Sequence, residues 1–339
     1  MAITSAASAT SASEPRTFTA GSSPFAAQAE ATTGGFLEDR LGIDHPAGWW
    51  PTKPQCKSYE AAGFACLQVR MPARSLLADE NAVLAHAAAL RDALGLTGLR
   101  LILHAPDDLL AGTPEHDGQL DGALTYAAVA GSELIVYHGA RIPIAGARVR
   151  DRLGDEERSL RRALRRAAAL GVRIAIENLA PVYPGAEHVC HNPGAVANLV
   201  RRLDSEHAGM CLDLGHAHIA AELAGCEMLE LVDPVLDLVL VFHVHDNLGA
   251  RTRTPCRGGI EPVRLDLHLP PGAGTLPWRM IAPRIAAHAA PVQLEIHPAG
   301  RPEPRTLAIL TRELLQRAAT LALVPRKTPA TQDKTQSQL

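Results

Sequence analysis

Six apolar runs in the sequence each close on a side chain able to bind a metal ion: LRLILH on His104, ELIVYH on His138, VRIAIE on Glu177, AGMCLD on Asp213, LVLVFH on His243 and APVQLE on Glu295. Three more residues of the same kinds fall just past such runs, His216 in Asp-Leu-Gly-His, then Asp266 and His268 in Asp-Leu-His. Imidazoles and carboxylates gathered at one place repel one another or go unsatisfied unless cations lie between them. A metal centre is the simplest chemistry for the set. Its donors are nitrogen and oxygen, which suits zinc, manganese, iron or cobalt and argues against a thiolate site.

Bringing these residues together requires elements that all end at one mouth. The runs are rich in Val, Ile and Leu without strict alternation, the pattern of strands buried on both faces, and helix-like segments separate them. Two further strands fit LGID near Leu41 and FACLQVRM from Phe64. Helices are expected in ENAVLAHAAALRDALG, GQLDGALTYAAVAG and DEERSLRRALRRAAALG, each stopped by a glycine suited to a C-cap, and in GAVANLVRRLD, IAAELAGCEMLELV, WRMIAPRIAAHAA and EPRTLAILTRELLQRAATLAL. This is an α/β chain with the order of a (β/α)8 TIM barrel, whose active site lies at the C-terminal strand ends. We expect one barrel domain over residues 36–324. An Ala/Ser/Thr-rich arm (1–35) and a polar tail (325–339) are expected to be disordered.

Composition narrows the partners. A net charge of −3 over 339 residues gives no basic footprint for nucleic acid, so the expected partner is a small molecule. The arginines at 158, 161, 162, 165 and 166 read as a solvated outer helix face, with Glu156 and Glu157 placed to pair with them. The six cysteines form no C-x-x-C pair, which fits reduced thiols and a cytoplasmic location, and no secretory signal or membrane anchor is expected. Oligomeric state is not legible.

Taken in order, the motifs LHAP (His104), VYHGA (His138), IENL (Glu177), CLDLGHAH (Asp213, His216), FHVHDN (His243), DLHLPPGAG (Asp266, His268) and LEIHP (Glu295) resemble the xylose isomerase-like superfamily, which joins sugar isomerases and epimerases with endonuclease IV. The resemblance spans roughly His45 to Pro298. It implies one to three divalent ions, zinc, manganese or similar. In the isomerase arrangement Glu177, Asp213, His243 and Glu295 hold one ion, and Glu177 and Glu295 are the catalytic pair that moves a proton. In the endonuclease IV arrangement His104, His138 and Glu177 hold a second ion, with Glu177 bridging, and His216, Asp266 and His268 hold a third.

The reading is therefore a metal-dependent sugar or sugar-phosphate isomerase or epimerase. The alternative is a multinuclear phosphoester hydrolase acting on a small molecule, with abasic DNA less favoured. By motif alignment His243 is the ligand and His245 either supports a ligand from behind or is a substrate contact, although the two could exchange roles. Further substrate contacts are expected from Arg251, Arg253 and Arg257 in the loop Gly249 to Arg264, which suit an anionic group, and from Trp49 and Trp50 in HPAGWWPTKPQ. Gly272 and Gly274 resemble the family's G-x-G turn, but Ala273 stands where relatives carry an acid.

Overall fold

Strands rich in branched residues and buried on both faces need neighbours on both edges as well, and closure into a ring supplies them. The computed structural model describes residues 37–48, 50–181, 185–250 and 265–322. Eight parallel strands close into one barrel in chain order: β1 (Leu41–Asp44), β2 (Cys66–Arg70), β3 (Arg100–His104), β4 (Leu134–His138), β5 (Arg173–Glu177), β6 (Ala208–Asp213), β7 (Val239–Val244) and β8 (Val292–Leu294). The helices are α1 (Lys53–Ala61), α2 (Arg74–Leu77), α3 (Glu80–Leu94), α4 (Pro114–Ala130), α5 (Val149–Leu170), α6 (Pro193–Leu203), α7 (Leu214–Ala224), α8 (Met228–Val232), α9 (Trp278–Ala287) and α10 (Pro304–Ala322). The arm 1–35, the tail 325–339, Trp49, Arg251, Arg253 and Arg257 lie outside the described residues.

Local signals explain where the elements stop. Asp79 caps α3 by accepting from the Ala82 N–H, and Thr113 caps α4 by accepting from the His116 N–H. Pro114, in the first turn after Thr113, is why α4 begins ahead of the expected GQLDG start. At the C-termini of α4 and α5, Gly131 and Gly171 adopt φ of 82° and 68°, the left-handed conformation that stops a helix. Gly225, at φ 67°, does the same after α7, so the segment expected as one helix before β7 is divided into α7 and α8.

Two expectations are corrected. Trp50 was assigned to the substrate; instead its ring packs edge-on against His86 of α3, with centroids 4.2 Å apart, against the hydrophobic core. The segment after it is not all loop, because Thr52 and the following Pro54 start α1. Glu156 was placed with the arginine stripe. Its carboxylate turns inward instead, is buried, and accepts from the Ala140 N–H (2.8 Å) and the Tyr137 hydroxyl (3.3 Å). Glu157 does pair with Arg161 and Arg202, while Arg162 reaches Asp121 on α4.

Burial pushes the Glu156 carboxyl up to about 7. The group therefore keeps its proton in the folded chain where the unfolded chain has lost it, and stability falls as pH rises from about 4.5 to about 7. Glu156→Gln retains the acceptor oxygen without the ionisation. It is expected to gain about 2 to 3 kcal/mol over the parent between pH 5 and pH 8 in paired urea denaturations; a pH-independent difference would refute the assignment.

Candidate metal centre

The ring of strand ends brings all nine ligand-type residues to one mouth. His104, His138, Glu177 and Asp213 are the last residues of β3 to β6, His243 is one short of the end of β7, and Glu295 follows β8. Register fixes their neighbours, His138 beside Glu177 and Asp213 beside His243. His216 sits in the first turn of α7, directly after β6. There Asp213 caps the helix by accepting from the His216 N–H (2.7 Å).

Three groups share these donors. In the first, His104 Nε2 and His138 Nε2 lie 3.3 and 3.4 Å from Glu177 Oε2. In the second, His243 Nδ1 lies 3.3 Å from Glu177 Oε1, 3.4 Å from Glu295 Oε2 and 3.9 Å from Asp213 Oδ2. In the third, Asp266 Oδ2 is 3.1 Å from His268 Nε2 and 3.5 Å from His216 Nε2. Donors bonded to one ion at about 2.0–2.1 Å in a tetrahedron stand about 3.3 Å apart, so these separations suit cations between them. Glu177 presents one oxygen to each of the first two groups and is placed to bridge them.

Backbone carbonyls set the imidazole tautomers. His104 Nδ1 donates to the Ala105 carbonyl (2.7 Å), His216 Nδ1 to the Asn178 carbonyl (2.8 Å) and His268 Nδ1 to the Glu295 carbonyl (2.7 Å). With Nδ1 so engaged each ring turns its Nε2 toward the centre, where a cation taking the place of the Nε2 proton would meet the lone pair, the arrangement that holds metal-ligating histidines. His104 Nε2, His216 Nε2, Glu177 Oε2 and Asp213 Oδ2 are buried without a hydrogen-bond partner. Buried polar atoms left so are costly unless a ligand meets them, and the donor set fits divalent ions.

Electrostatics agree. Burial pushes Glu177 upward, but the charges of His243 and His138 and the closeness of His104 outweigh it and hold the carboxyl well below the usual range. Burial opposes charge on His243, yet the adjacent Cys211 sulfur and the Glu295 and Glu177 carboxylates lift it well above its ordinary value. His268, despite burial, is carried to about 9 by Asp266.

Sequence reasoning missed the residue that aims His243. Gln68 in β2 donates from Nε2 to Glu295 Oε1 (2.6 Å), so its Oε1 faces His243 Nε2 (2.9 Å) and must accept. His243 Nδ1 is thereby left for the carboxylates. The signal was present as an uncharged amide side chain in the middle of the apolar run FACLQVRM. Asp44 at the end of β1 was missed too, and burial beside Glu295 pushes it up to about 7.

A cavity of about 350 Å³ opens onto this centre, walled by His138, Glu177, His216, Asp266, His268 and Glu295 and completed by Arg70, Asp107 and Arg141. Arg70 pairs with Asp107 at 2.6 Å. A larger cavity, about 670 Å³, lies at the opposite strand ends beside Cys66, Arg100 and Arg173 and holds none of the nine residues. Barrel chemistry belongs to the C-terminal ends, so the mouth cavity is the candidate site.

The segment bearing Asp266 and His268 is fastened from β7. Asp246 is buried and accepts from the Gly272 N–H (2.9 Å), the Leu276 N–H (3.1 Å) and Trp278 Nε1 (2.9 Å). Gly274 is required there, because a Cβ would come within 2.3 Å of Asp246 Oδ1 and 2.2 Å of the Asn247 carbonyl. His268 holds φ 48°, a strained value for a residue with a side chain, fixed by these contacts. Asp246→Ala strips four donors of their acceptor, the Asn247, Gly272 and Leu276 N–H groups and Trp278 Nε1, and is expected to lower unfolding free energy by at least about 3 kcal/mol. A urea midpoint within error of the parent would show that the loop is held otherwise.

A family profile described as xylose isomerase-like TIM barrel matches residues 56–316. The chain belongs to that family. Among solved structures, the family fold here is similar to a D-tagatose 3-epimerase-like protein (18% identity, TM-score 0.62, 83% of this chain and 99% of that one). It is also similar to a 3-keto-D-glucoside 4-epimerase from E. coli (16%, 0.58, 83% and 99%) and to a D-psicose 3-epimerase solved with D-fructose (14%, 0.60, 81% and 99%). At these identities the likeness concerns the fold. An uncharacterized protein of Methanocaldococcus jannaschii is 29% identical over 119 residues, 35% of this chain, and the match spans only 39% of that protein's length.

Among the described residues no helix is long and apolar enough to cross a membrane. The cysteines at 56, 66, 190, 211 and 226 are free thiols.

Proposed function

We propose that this protein is a divalent-metal-dependent isomerase or epimerase of a small polyhydroxylated substrate, a sugar or sugar phosphate. The observation that carries the reading is the placement of Glu177 and Glu295, two buried carboxylates 3.3 and 3.4 Å from the same His243 nitrogen at the wall of a small-molecule-sized cavity. A bound divalent ion would polarise adjacent carbonyl and hydroxyl oxygens of the substrate, making the neighbouring carbon acidic. One glutamate then takes the carbon-bound proton and the other returns one. Gln68 keeps Glu295 aimed, and Arg70 and Arg141 offer cations to an anionic substituent. The sugar epimerases among the structures of like fold support this choice.

The first and third ligand groups favour a second reading, a multinuclear phosphoester hydrolase. His104 and His138 converge on one oxygen of Glu177, beyond what a single-ion isomerase uses. Incubating the metal-loaded protein in D2O with ketoses, their phosphates and small phosphodiesters separates the two. Deuterium at the carbon beside the carbonyl is expected; phosphate or alcohol release without exchange would replace the first reading by the second. His104→Ala sharpens the result. It is expected mainly to raise KM for a sugar, whereas loss of one bound ion together with most activity would mark cluster chemistry. The free thiols at 56, 66, 190, 211 and 226 support a cytoplasmic location, and the net charge of −3 supports a protein with no nucleic-acid partner. Incision of an abasic duplex that Glu177→Gln abolishes would overturn this.

A further inference from the structure

His245 is buried in the barrel mouth, and neither of its ring nitrogens makes a hydrogen bond. Its Nε2 stops 3.2 Å from Asp213 Oδ1 without the alignment of one, and 3.8 Å from Asp266 Oδ1. The ring stacks on His268 with centroids 4.0 Å apart and an interplanar angle of 18°. Of the two roles expected of His245, burial on this scale favours the one behind the ligands over the one facing substrate.

We propose that His245 is the fourth protein ligand of the third group, so that His216, His245, Asp266 and His268 close around a divalent ion and leave substrate no position on it. One ligand atom from each of these four residues lies within 4.8 Å of every other. An ion among them gives the unmet His245 nitrogen a partner, and the carbonyl-fixed tautomers of His216 and His268 already turn their Nε2 atoms the same way.

The backbone reserves the space for this ring. A Cβ on Gly215, in the first turn of α7, would come within 2.1 Å of His245 Cε1 and 2.5 Å of both its nitrogens. Gly215 is therefore what admits an imidazole between α7 and the Asp266–His268 segment. Asn247 locks the approach by donating from Nδ2 to the Gly215 carbonyl (2.9 Å) while His218 Nδ1 donates to its Oδ1 (2.8 Å).

Sites with four protein donors hold zinc structurally, whereas catalytic sites keep a coordination position for water or substrate. The third ion thus clamps α7 and the Asp266–His268 segment to β7 and shapes the cavity wall. Reaction is left to the groups that share Glu177. The inference rests on ligand geometry rather than on the isomerase reading, and its test reads metal, so failure to turn over any sugar does not bear on it.

The full-length protein is loaded with zinc, dialysed against a graded chelator, and its metal counted beside His245→Gln, with circular dichroism confirming the fold. The variant is expected to lose one ion per chain at a chelator concentration at least tenfold below that which strips the parent, and to keep the remainder. Equal retention would overturn the proposal. A measurement on the unmutated protein guards against a variant that fails to fold. In histidine-15N-labelled chain, zinc saturation is expected to move the His245 ring nitrogens to metal-bound shifts, and an unmoved His245 ring would refute ligation.

Discussion

Glu177→Gln is expected to lower turnover by about four orders of magnitude or more while the barrel stays folded. Its two oxygens serve two ligand groups at once, 3.3 and 3.4 Å from His104 and His138 on one side and 3.3 Å from His243 on the other. A carboxamide keeps the volume but gives up the charge and offers a single acceptor oxygen. The effect is thus twofold: a proton acceptor is lost, and both groups bind metal more weakly. In the metal-free chain the same carboxylate balances buried imidazoles, so unfolding free energy is expected to drop by about 3 kcal/mol as well. Turnover, elemental analysis and a thermal melt on one preparation check all three. A variant with near-parental kcat at saturating metal would remove Glu177 from the centre in either chemistry.

Glu295→Gln carries the second largest effect and separates the two glutamates. Gln68 Nε2 donates to Glu295 Oε1 at 2.6 Å, and a carboxamide can accept that bond, so the side chain keeps its aim but loses its capacity to take a proton and the charge it offers the second ligand group, which saturating metal offsets. A fall in kcat of about 10² to 10⁴ is expected with KM changed far less, the signature of an interaction made in the transition state. The diagnostic outcome is isotopic. With one carboxylate gone, Glu177 still exchanges the substrate's carbon-bound hydrogen with D2O from its own face, while inversion or transfer stops. Loss of exchange and product formation in equal measure would contradict a two-glutamate shuttle.

The legible parts of this protein are those that local sequence controls. Strand ends could be read because apolar runs stop where a polar ligand must begin, and a parallel barrel gathers every such end on one rim. That is why His104, His138, Glu177, Asp213, His243 and Glu295 could be named from the sequence, whereas their grouping is what the family resemblance implies. Helix boundaries were legible where glycine stops a helix, and less so at Thr113, which starts α4 ahead of the expected position, and at Gly225, where the apolar pattern runs on through the break.

The orientation of side chains is set by partners distant in the chain, and only the tertiary structure decided it. Gln68 and Glu295, far apart in sequence, fix which nitrogen of His243 faces the carboxylates. Glu156 lies on a helix whose charge pattern suggests ion pairs, yet its side of α5 faces Tyr137 and the end of β4. Trp50 belongs to a loop by composition and to the core by its contact with His86. His245 shows the difference most plainly: two residues past His243 and just beyond the end of β7, it reads by motif as supporting a ligand or facing substrate, and the space above Gly215 seats it among His216, Asp266 and His268. The donor types and their common rim are legible because strand periodicity and topology suffice for that; how closely the donors face one another follows from distances of 3 to 4 Å that local pattern does not encode.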